Sequence, residues 1–353
     1  MELDMNKLAN GKPAQQSVPQ VSVRGVWKVF GAQPQSVIAA LEGGASKADI
    51  LTQSGHVVAV RNVSFDVQAG ETFVVMGLSG SGKSTLLRCL PRLIEPTVGH
   101  ILIDGRDIAA IDKDDLRDLR RHRMSMVFQH FGLFPHRRII DNVAYGLEIQ
   151  GMKRAARYER ARTVLELVNL TGWENHYPNQ LSGGMQQRVG LARALAVEPE
   201  ILLFDEPFSA LDPLIRREMQ DELLNLQSRV HKTLIFITHD FAEAVKLGTH
   251  IAIMKDGEFV QVGSAQELVL HPVNDYVRDF TRDVSRLRVL TAASVMLAVQ
   301  DGLTGSPIPA STHLDRLLAI VMQSEQALPV SGEHNQIVGC VNRQCVLDAL
   351  QGE

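Results

Sequence analysis

The sequence predicts an α/β fold. Three short runs, TFVVMG (72–77), ILLFDEP (201–207) and TLIFITHD (233–240), open on apolar, β-branched or aromatic residues and are too short for buried helices. Each reads as a strand of a buried sheet. Helical patterns separate them, and strands alternating with helices are what an α/β core requires. The chain has 353 residues, 45% of them hydrophobic and 22% charged, enough for one large domain and a smaller one.

The elements follow in order. Residues 1–20, MELDMNKLANGKPAQQSVPQ, are polar with no apolar h-region, so they read as a disordered leader and not a secretory signal. Val21 to Phe30 and Val57 to Val67 are short strands. Between them lies an insert, 33–56, with two short helical patterns split by Gly43–Gly44; Ser46 and Asp49 form a capping-box arrangement at the second. Residues 112–123, DKDDLRDLRRHR, predict an exposed charged helix. Ala161, Val164, Leu165 and Val168 recur at helical spacing. The stretch from about 90 to 180 is almost strand-free and reads as an inserted helical subdomain within a domain of residues 21–282. HIAIMKDGEFVQVG (250–263) is a hairpin turning at Asp256–Gly257.

From about 283 the character changes. Residues 286–353 carry four arginines, six acidic residues and no lysine, and predict a separate small α/β unit of strand, helix and strand followed by another strand and a short helix.

Bulk properties bound the function. A formal charge of −4 gives no support to nucleic-acid binding. Cys89, Cys340 and Cys345 match no zinc or disulfide framework and read as reduced thiols. No apolar run reaches the ~18–20 residues that span a bilayer, so a membrane role requires a partner.

The chemistry begins at GLSGSGKST, Gly77 to Thr85, which satisfies GxxxxGK[ST] between a buried strand and a helix. Loop N–H groups of Gly77, Ser79, Gly80, Ser81 and Gly82 are placed to wrap phosphates, with Thr85 beside them. Lys83 should reach the β- and γ-phosphates, and the Ser84 hydroxyl should hold Mg²⁺. This is a nucleoside triphosphate site. Asp205 ends a buried strand, where a carboxylate that orients metal-bound water belongs, and Glu206 beside it can polarise the attacking water. Gln129 follows the short apolar strand of MVFQH, and His239 ends the strand in FITHD. Either residue alone would be an ordinary polar strand end. LSGGMQQR (181–188) adds a Ser and two glycines at a helix start, a second anion-binding geometry.

Taken together, residues 21–280 resemble the ABC-type ATPases. Gly77 to Ser84 match the Walker A loop, Gln129 the Q-loop, LSGGMQQR the signature motif and ILLFDEP the Walker B strand. Ser209 to Asp212 match the D-loop, His239 the switch histidine, and Phe30 the aromatic position that stacks on adenine. The resemblance implies ATP and Mg²⁺ as ligands, with Ser84, Gln129 and Asp205 about the metal. It also implies a head-to-tail homodimer in which Ser182, Gly183 and Gly184 complete the partner's ATP site, and it places Asp212 of the D-loop among the nucleotide-binding residues.

No transmembrane domain is fused, and there is no second cassette, coiled coil or zinc hook. An importer's ATPase subunit remains, peripheral on the cytoplasmic membrane face and working with separate permease subunits and, indirectly, a substrate-binding protein. FGLFPHRRIIDNVAYGL (131–147) matches where such subunits receive the permease, although its apolar residues also fit a subdomain core. The insert, MGLSGSGKSTLLRCLPRLIEPT and FSALDPLIRREMQDEL resemble the quaternary amine importer ATPases, whose substrates are glycine betaine, proline betaine, choline or carnitine. The tail, 283–353, resembles one CBS motif. A lone copy needs a partner to bury its sheet face, so the tails are expected to pair. Sensing of ionic strength or a nucleotide and plain dimerisation both stay open. The lack of lysine argues against a polybasic membrane sensor. The alternatives are a methionine or other amino-acid importer subunit and, from another class, an ATP-binding regulator or scaffold that powers no transport.

Overall fold

The computed structural model describes residues 18–351, with 130, 131, 283, 301, 302, 325 and 333 excepted. Residues 1–17 of the expected leader lie outside the described residues. Its last residue, Gln20, is packed, not free: it is buried, donates to Glu200 at 3.3 Å and accepts from the Thr233 hydroxyl.

Strand β1 (Val21–Phe30) pairs antiparallel with β2 (Val57–Val67). The insert between them folds as α1 (Ile38–Glu42) and α2 (Lys47–Ser54), and the Ser46–Asp49 capping box is present. Leu41 and Ile50 from these helices bury against Trp27, Val29 and Val58, giving the insert a small core of its own. Next come β3 (Thr72–Met76), buried throughout, and α3 (Lys83–Cys89).

The expectation of an almost strand-free stretch at 90–180 is corrected at its start. Strands β4 (Val98–Ile103), β5 (Arg106–Asp107) and β6 (Met124–Val127) lie there, around the charged helix α4 (Lys113–His122) that Asp112 caps. β4 pairs with β1 and buries alternate residues, a half-exposed pattern that an apolar run does not announce. The helical part proper is α5 (Ile139–Val143), α6 (Tyr145–Ile149), α7 (Arg154–Leu167) and α8 (Gly183–Ala196). Ala161, Val164, Leu165 and Val168 all lie in its core.

The second half alternates β7 (Ile201–Asp205), α9 (Pro213–Val230), β8 (Thr233–Thr238), α10 (Phe241–Leu247), β9 (His250–Lys255) and β10 (Glu258–Gly263). Asp256 and Gly257 both take positive φ, 51° and 89°, as a tight hairpin turn requires. Six strands form the central sheet in the order β10-β9-β3-β8-β7-β6, parallel apart from β10. A four-stranded antiparallel sheet, β2-β1-β4-β5, covers one face.

Period-two alternation divides the central strands between two cores. Phe73, Val75, Leu203 and Ile235 point toward the antiparallel sheet. Val74, Met76, Phe204 and Phe236 point toward the helices. The strands are therefore apolar on both faces, and their ends meet along one edge of the sheet, as ligand sites in such sheets do.

Helices α11 (Ala265–Leu270), α12 (Asp275–Thr281), α13 (Arg286–Val289) and α14 (Ala292–Val295) lead into the C-terminal unit. That unit has β11 (Ile308–Pro309), α15 (Leu314–Val321), β12 (Leu328–Ser331), β13 (Ile337–Val341) and α16 (Arg343–Gln351), with sheet order β11-β12-β13. Its core residues Leu290, Leu317, Val330 and Val346 are continuous with the core of the preceding domain. Gln266 of α11 donates to the Thr291 hydroxyl at 3.2 Å across the junction. Among the described residues no helix is long and apolar enough to cross a membrane. Cys89, Cys340 and Cys345 are free thiols, and burial pushes the Cys89 thiol up to about 12.

Candidate functional site

The loop between β3 and α3 is shaped by glycines that tolerate no side chain. At Gly77 (φ 156°) a Cβ would lie 2.2 Å from the Met254 carbonyl oxygen. At Gly82 (φ 110°) it would lie 2.1 Å from that of Ala59. Gly80 (φ 79°) faces open space, so there the need is conformational alone. Ser81 is buried and its hydroxyl has no hydrogen-bond partner, an orphaned polar atom inside the loop. Such an atom fits a ligand-binding loop.

Lys83 opens α3 and turns back into the loop. Its ammonium donates to the carbonyls of Gly77 at 2.8 Å and Leu78 at 3.1 Å, and lies 3.5 Å from Glu206 Oε1. Burial pulls the Lys83 amine below its ordinary range, against the opposing pull of Glu206 and Asp205. Next to it, Ser84 Oγ donates to Asp205 Oδ1 at 2.9 Å, while Arg88 Nη2 donates to Oδ2 at 2.9 Å. Asp205, 2% exposed, is thus gripped at both oxygens from α3.

Glu206 has φ 45°, a left-handed conformation uncommon for a side-chain-bearing residue, and one that turns its carboxylate back over the sheet edge. Oε2 lies 3.1 Å from His239 Nδ1, at the end of the neighbouring strand β8. Gln129 Nε2 donates to Ser209 Oγ at 3.1 Å, and Ser209 Oγ donates to the Glu206 carbonyl at 2.9 Å. Lys83, Ser84, Gln129, Asp205, Glu206 and His239 are therefore joined in one network drawn from three parallel strands, β6, β7 and β8, and from α3.

The donors suit a hard cation. Ser84 Oγ and the Asp205 carboxylate are oxygen ligands of the kind Mg²⁺ takes together with phosphates and water. Among the described residues no group of three or more His, Cys, Asp or Glu side chains could hold a metal unaided. A magnesium ion here would arrive with its nucleotide.

The remaining expected site residues lie apart. Among the described residues, no hydrogen bond or ion pair links Phe30, Ser182, Gly183, Gly184 or Asp212 to this network. Phe30 ends β1, is 40% exposed, and has the Lys28 ammonium 4.8 Å from its ring centroid. Ser182 is the N-cap of α8, accepting from Met185 N–H at 3.4 Å. The helix therefore begins at Gly183. Asp212 caps α9, accepting from Ile215 N–H at 3.2 Å. A Cβ on Gly184 would come within 2.5 Å of Ile215 Cγ2, so the starts of α8 and α9 are packed closely. The N-termini of α8 and α9 therefore stand side by side.

Arg88 and Glu243 carried no sequence signal, and Ser209 was marked only as the start of the D-loop. Arg88 holds Asp205, and Ser209 bridges Gln129 to Glu206. Glu243, 4% exposed, accepts from Thr238 Oγ1 at 2.6 Å and Gln220 Nε2 at 3.1 Å, directly behind His239. Burial raises its carboxyl above the usual carboxylate range.

The segment 132–147 is built around Asn142, fully buried. Its amide oxygen accepts from Phe134 N–H at 2.7 Å, and its nitrogen donates to the carbonyls of Phe134, Arg137 and Arg138. Phe134 packs edge-on to Tyr145, with Arg137 against both rings. Phe131 of this stretch lies outside the described residues.

Residues 60–209 match the family model described as ABC transporter. The chain is 48% identical over 332 residues to the trimethylamine N-oxide transport system ATP-binding protein TmoW of Ruegeria pomeroyi, covering 94% of this chain and 97% of that one. It is 55% identical over 278 residues to the glycine betaine/carnitine transport ATP-binding protein GbuA of Listeria monocytogenes, covering 79% and 70%. Among solved structures, the dimeric post-hydrolysis state of the ATP-binding cassette MJ0796 bound to ADP and Pi superposes with a TM-score of 0.58 at 34% identity. It covers 69% of this chain and 98% of that one.

Proposed function

The chain belongs to the ABC transporter family of ATP-binding subunits, and from that premise we propose that it powers import of a small osmolyte with a fully substituted nitrogen. The class runs from glycine betaine and its relatives to trimethylamine N-oxide. These share a crowded, cationic nitrogen and most carry a nearby anionic oxygen. The observation that carries this reading is the pairing of relatives: one named for an amine oxide over nearly its whole length, the other named for glycine betaine and carnitine. The amine oxide widens the set of betaines, choline and carnitine that the sequence suggested. Nothing favours the methionine or scaffold alternatives.

The chain hydrolyses ATP to drive transport. Loop N–H groups from Gly77 to Ser84 bind the β- and γ-phosphates, and Lys83 exchanges the Glu206 carboxylate for phosphate oxygens. Ser84, Asp205 and Gln129 would hold Mg²⁺, which would neutralise charge on the phosphates. Glu206, released from Lys83, orients and polarises the attacking water, and His239 steadies Glu206 and the γ-phosphate. Phe30 stacks on adenine.

Ser182, Gly183 and Gly184 at the start of α8, with Asp212 at the start of α9, meet the ATP of a second copy. Two helix N-termini packed side by side suit that role. The dimer closes on ATP and opens after hydrolysis, a population shift driven by differential binding. The loop at 132–147, rigid around Asn142, receives a permease subunit at the cytoplasmic face of the membrane. The C-terminal unit is a single CBS-like domain that pairs with its copy.

Uptake in cells lacking the gene tests the substrate class. Labelled glycine betaine or trimethylamine N-oxide should cease to accumulate, and the wild-type gene but not its Glu206→Gln version should restore uptake. Loss of methionine uptake with both osmolytes unaffected would make the amino-acid alternative correct.

A further inference from the structure

A cavity of about 770 Å³ lies where the C-terminal unit meets the ATPase helices. Its walls come from α9, from α10, from the Val284–Val289 stretch that opens the tail, and from His313 before α15. The volume falls in the range of small-molecule sites, ~300–1,000 Å³. Four basic side chains line it, Arg216, Arg217, Lys246 and Arg288, against the carboxyls of Asp240 and Glu243.

Partners already engage half of these. Arg216 Nη1 lies 3.6 Å from Asp240 Oδ2, and Nη2 donates to the Leu211 carbonyl at 3.2 Å. Lys246 pairs with Asp221 at 2.7 Å. Glu243 is buried against Thr238 and Gln220, and burial favours its neutral form. Arg217 and Arg288 remain. Among the described residues neither has a carboxylate partner, one belongs to each unit, and both face the same cavity. Arg216 Nε is also buried without a partner.

We propose that this cavity is a regulatory site for a small phosphate monoester, its phosphate held between Arg217 of α9 and Arg288 of the tail. Two guanidinium groups with no carboxylate partner among the described residues match a dianion, and the fork geometry of arginine suits phosphate oxygens. The cavity is far larger than phosphate alone, and Pro213, Val245 and Val289 offer an apolar wall for the organic part. The site touches the motor directly. Helix α9 starts at Asp212 of the D-loop, and α10 starts at Asp240, the residue after His239. A ligand that ties Arg217 to Arg288 therefore couples the tail's position to both motifs, and ATP and ligand must influence one another reciprocally.

The coupling rests on the ATPase reading, whereas the binding does not, so the two are measured separately. Phenyl phosphate is titrated calorimetrically into full-length chain carrying Lys83→Ala, which removes P-loop binding. One molecule per chain should bind with a Kd of about 1 mM or tighter. Adding Arg217→Ala or Arg288→Ala should weaken binding roughly tenfold or more. Absence of saturable binding up to about 10 mM, or unchanged affinity in both variants, overturns the site. With wild-type Lys83 and saturating ATP, phenyl phosphate should change the ATPase rate, and Arg288→Ala should abolish the response. A rate that ignores the ligand overturns the coupling even where the site binds.

Discussion

Ser84 Oγ donates to Asp205 Oδ1 across 2.9 Å, joining two residues that are 121 positions apart in the chain. The contact places the hydroxyl proposed to hold magnesium and the Walker B carboxylate on one point of the sheet edge. Glu206, the next residue, is held by Lys83 on one oxygen and His239 on the other. Glu206→Gln keeps the shape of this arrangement and removes the base. ATP turnover should fall by ~10²–10⁴-fold while ATP binding persists. Light scattering during gel filtration with ATP should then show a dimer; a monomer would exclude the sandwich.

Ser209 stands between Gln129 and the Glu206 backbone, and among the described residues no other hydrogen bond links those two. Ser209→Ala removes both hydrogen bonds without leaving a buried charge. The expected result is a fall in kcat of about fivefold, equivalent to about 1 kcal/mol, with little change in KM for ATP. Steady-state kinetics read the split, and a change in KM alone would place Ser209 in ground-state binding instead.

At Gly82 the objection to a side chain is backbone, not a movable neighbour. Gly82→Ala sets a methyl against the Ala59 carbonyl oxygen and demands a positive φ of alanine. Together these should cost about 2–4 kcal/mol. A denaturant titration that found Gly82→Ala as stable as wild type would show that the P-loop relaxes freely.

Glu243 gives a pH prediction whose sign follows from burial. Its folded-state pKa is raised, so between its ordinary value of 4.5 and the folded value the folded chain binds more protons than the unfolded one. Stability from this group is present below the ordinary value and is lost as pH rises through the folded pKa. Glu243→Gln cannot ionise, so its melting temperature should decline less than that of wild type as pH rises from ~4.5 toward ~7. Parallel slopes for the two proteins would mean that Glu243 does not titrate in this window.

Much of this site was legible because its residues sit at the ends of strands buried on both faces. TFVVMG, ILLFDEP and TLIFITHD each have an unbroken apolar middle, so strand and terminal polar residue are read together. β4 was hidden by the opposite circumstance: one face meets β1's core and the other meets solvent, and Gly99 interrupts the run. Ser209 is legible only as the start of the D-loop, and Arg88 resembles any helix arginine, until folding brings them to Gln129 and Asp205. Glu243 is one more acidic residue in a helix's first turn, and only its burial makes it unusual. The tail's elements followed from pattern, but the cavity beneath it exists because two cores fuse, a tertiary fact with no local trace.

The assignment of the signature motif to a neighbour's ATP can be tested by complementation. Gly183 is the first residue of α8, and a Cβ there would meet Leu211 at an ordinary 3.7 Å. An acidic side chain at that position suits the helix dipole, so Gly183→Asp should fold, yet it sets a negative charge against phosphate. Lys83→Ala disables the P-loop of its own chain. Each variant alone should be nearly inactive. If signature and P-loop act across the dimer, a mixed dimer contains one site with both defects and one with neither. Random mixing makes half the dimers mixed, so ATPase activity should recover to as much as about a quarter of wild type. If both motifs served the same chain's ATP, every site in the mixture would carry a defect. The mixture would then be as inactive as its parents.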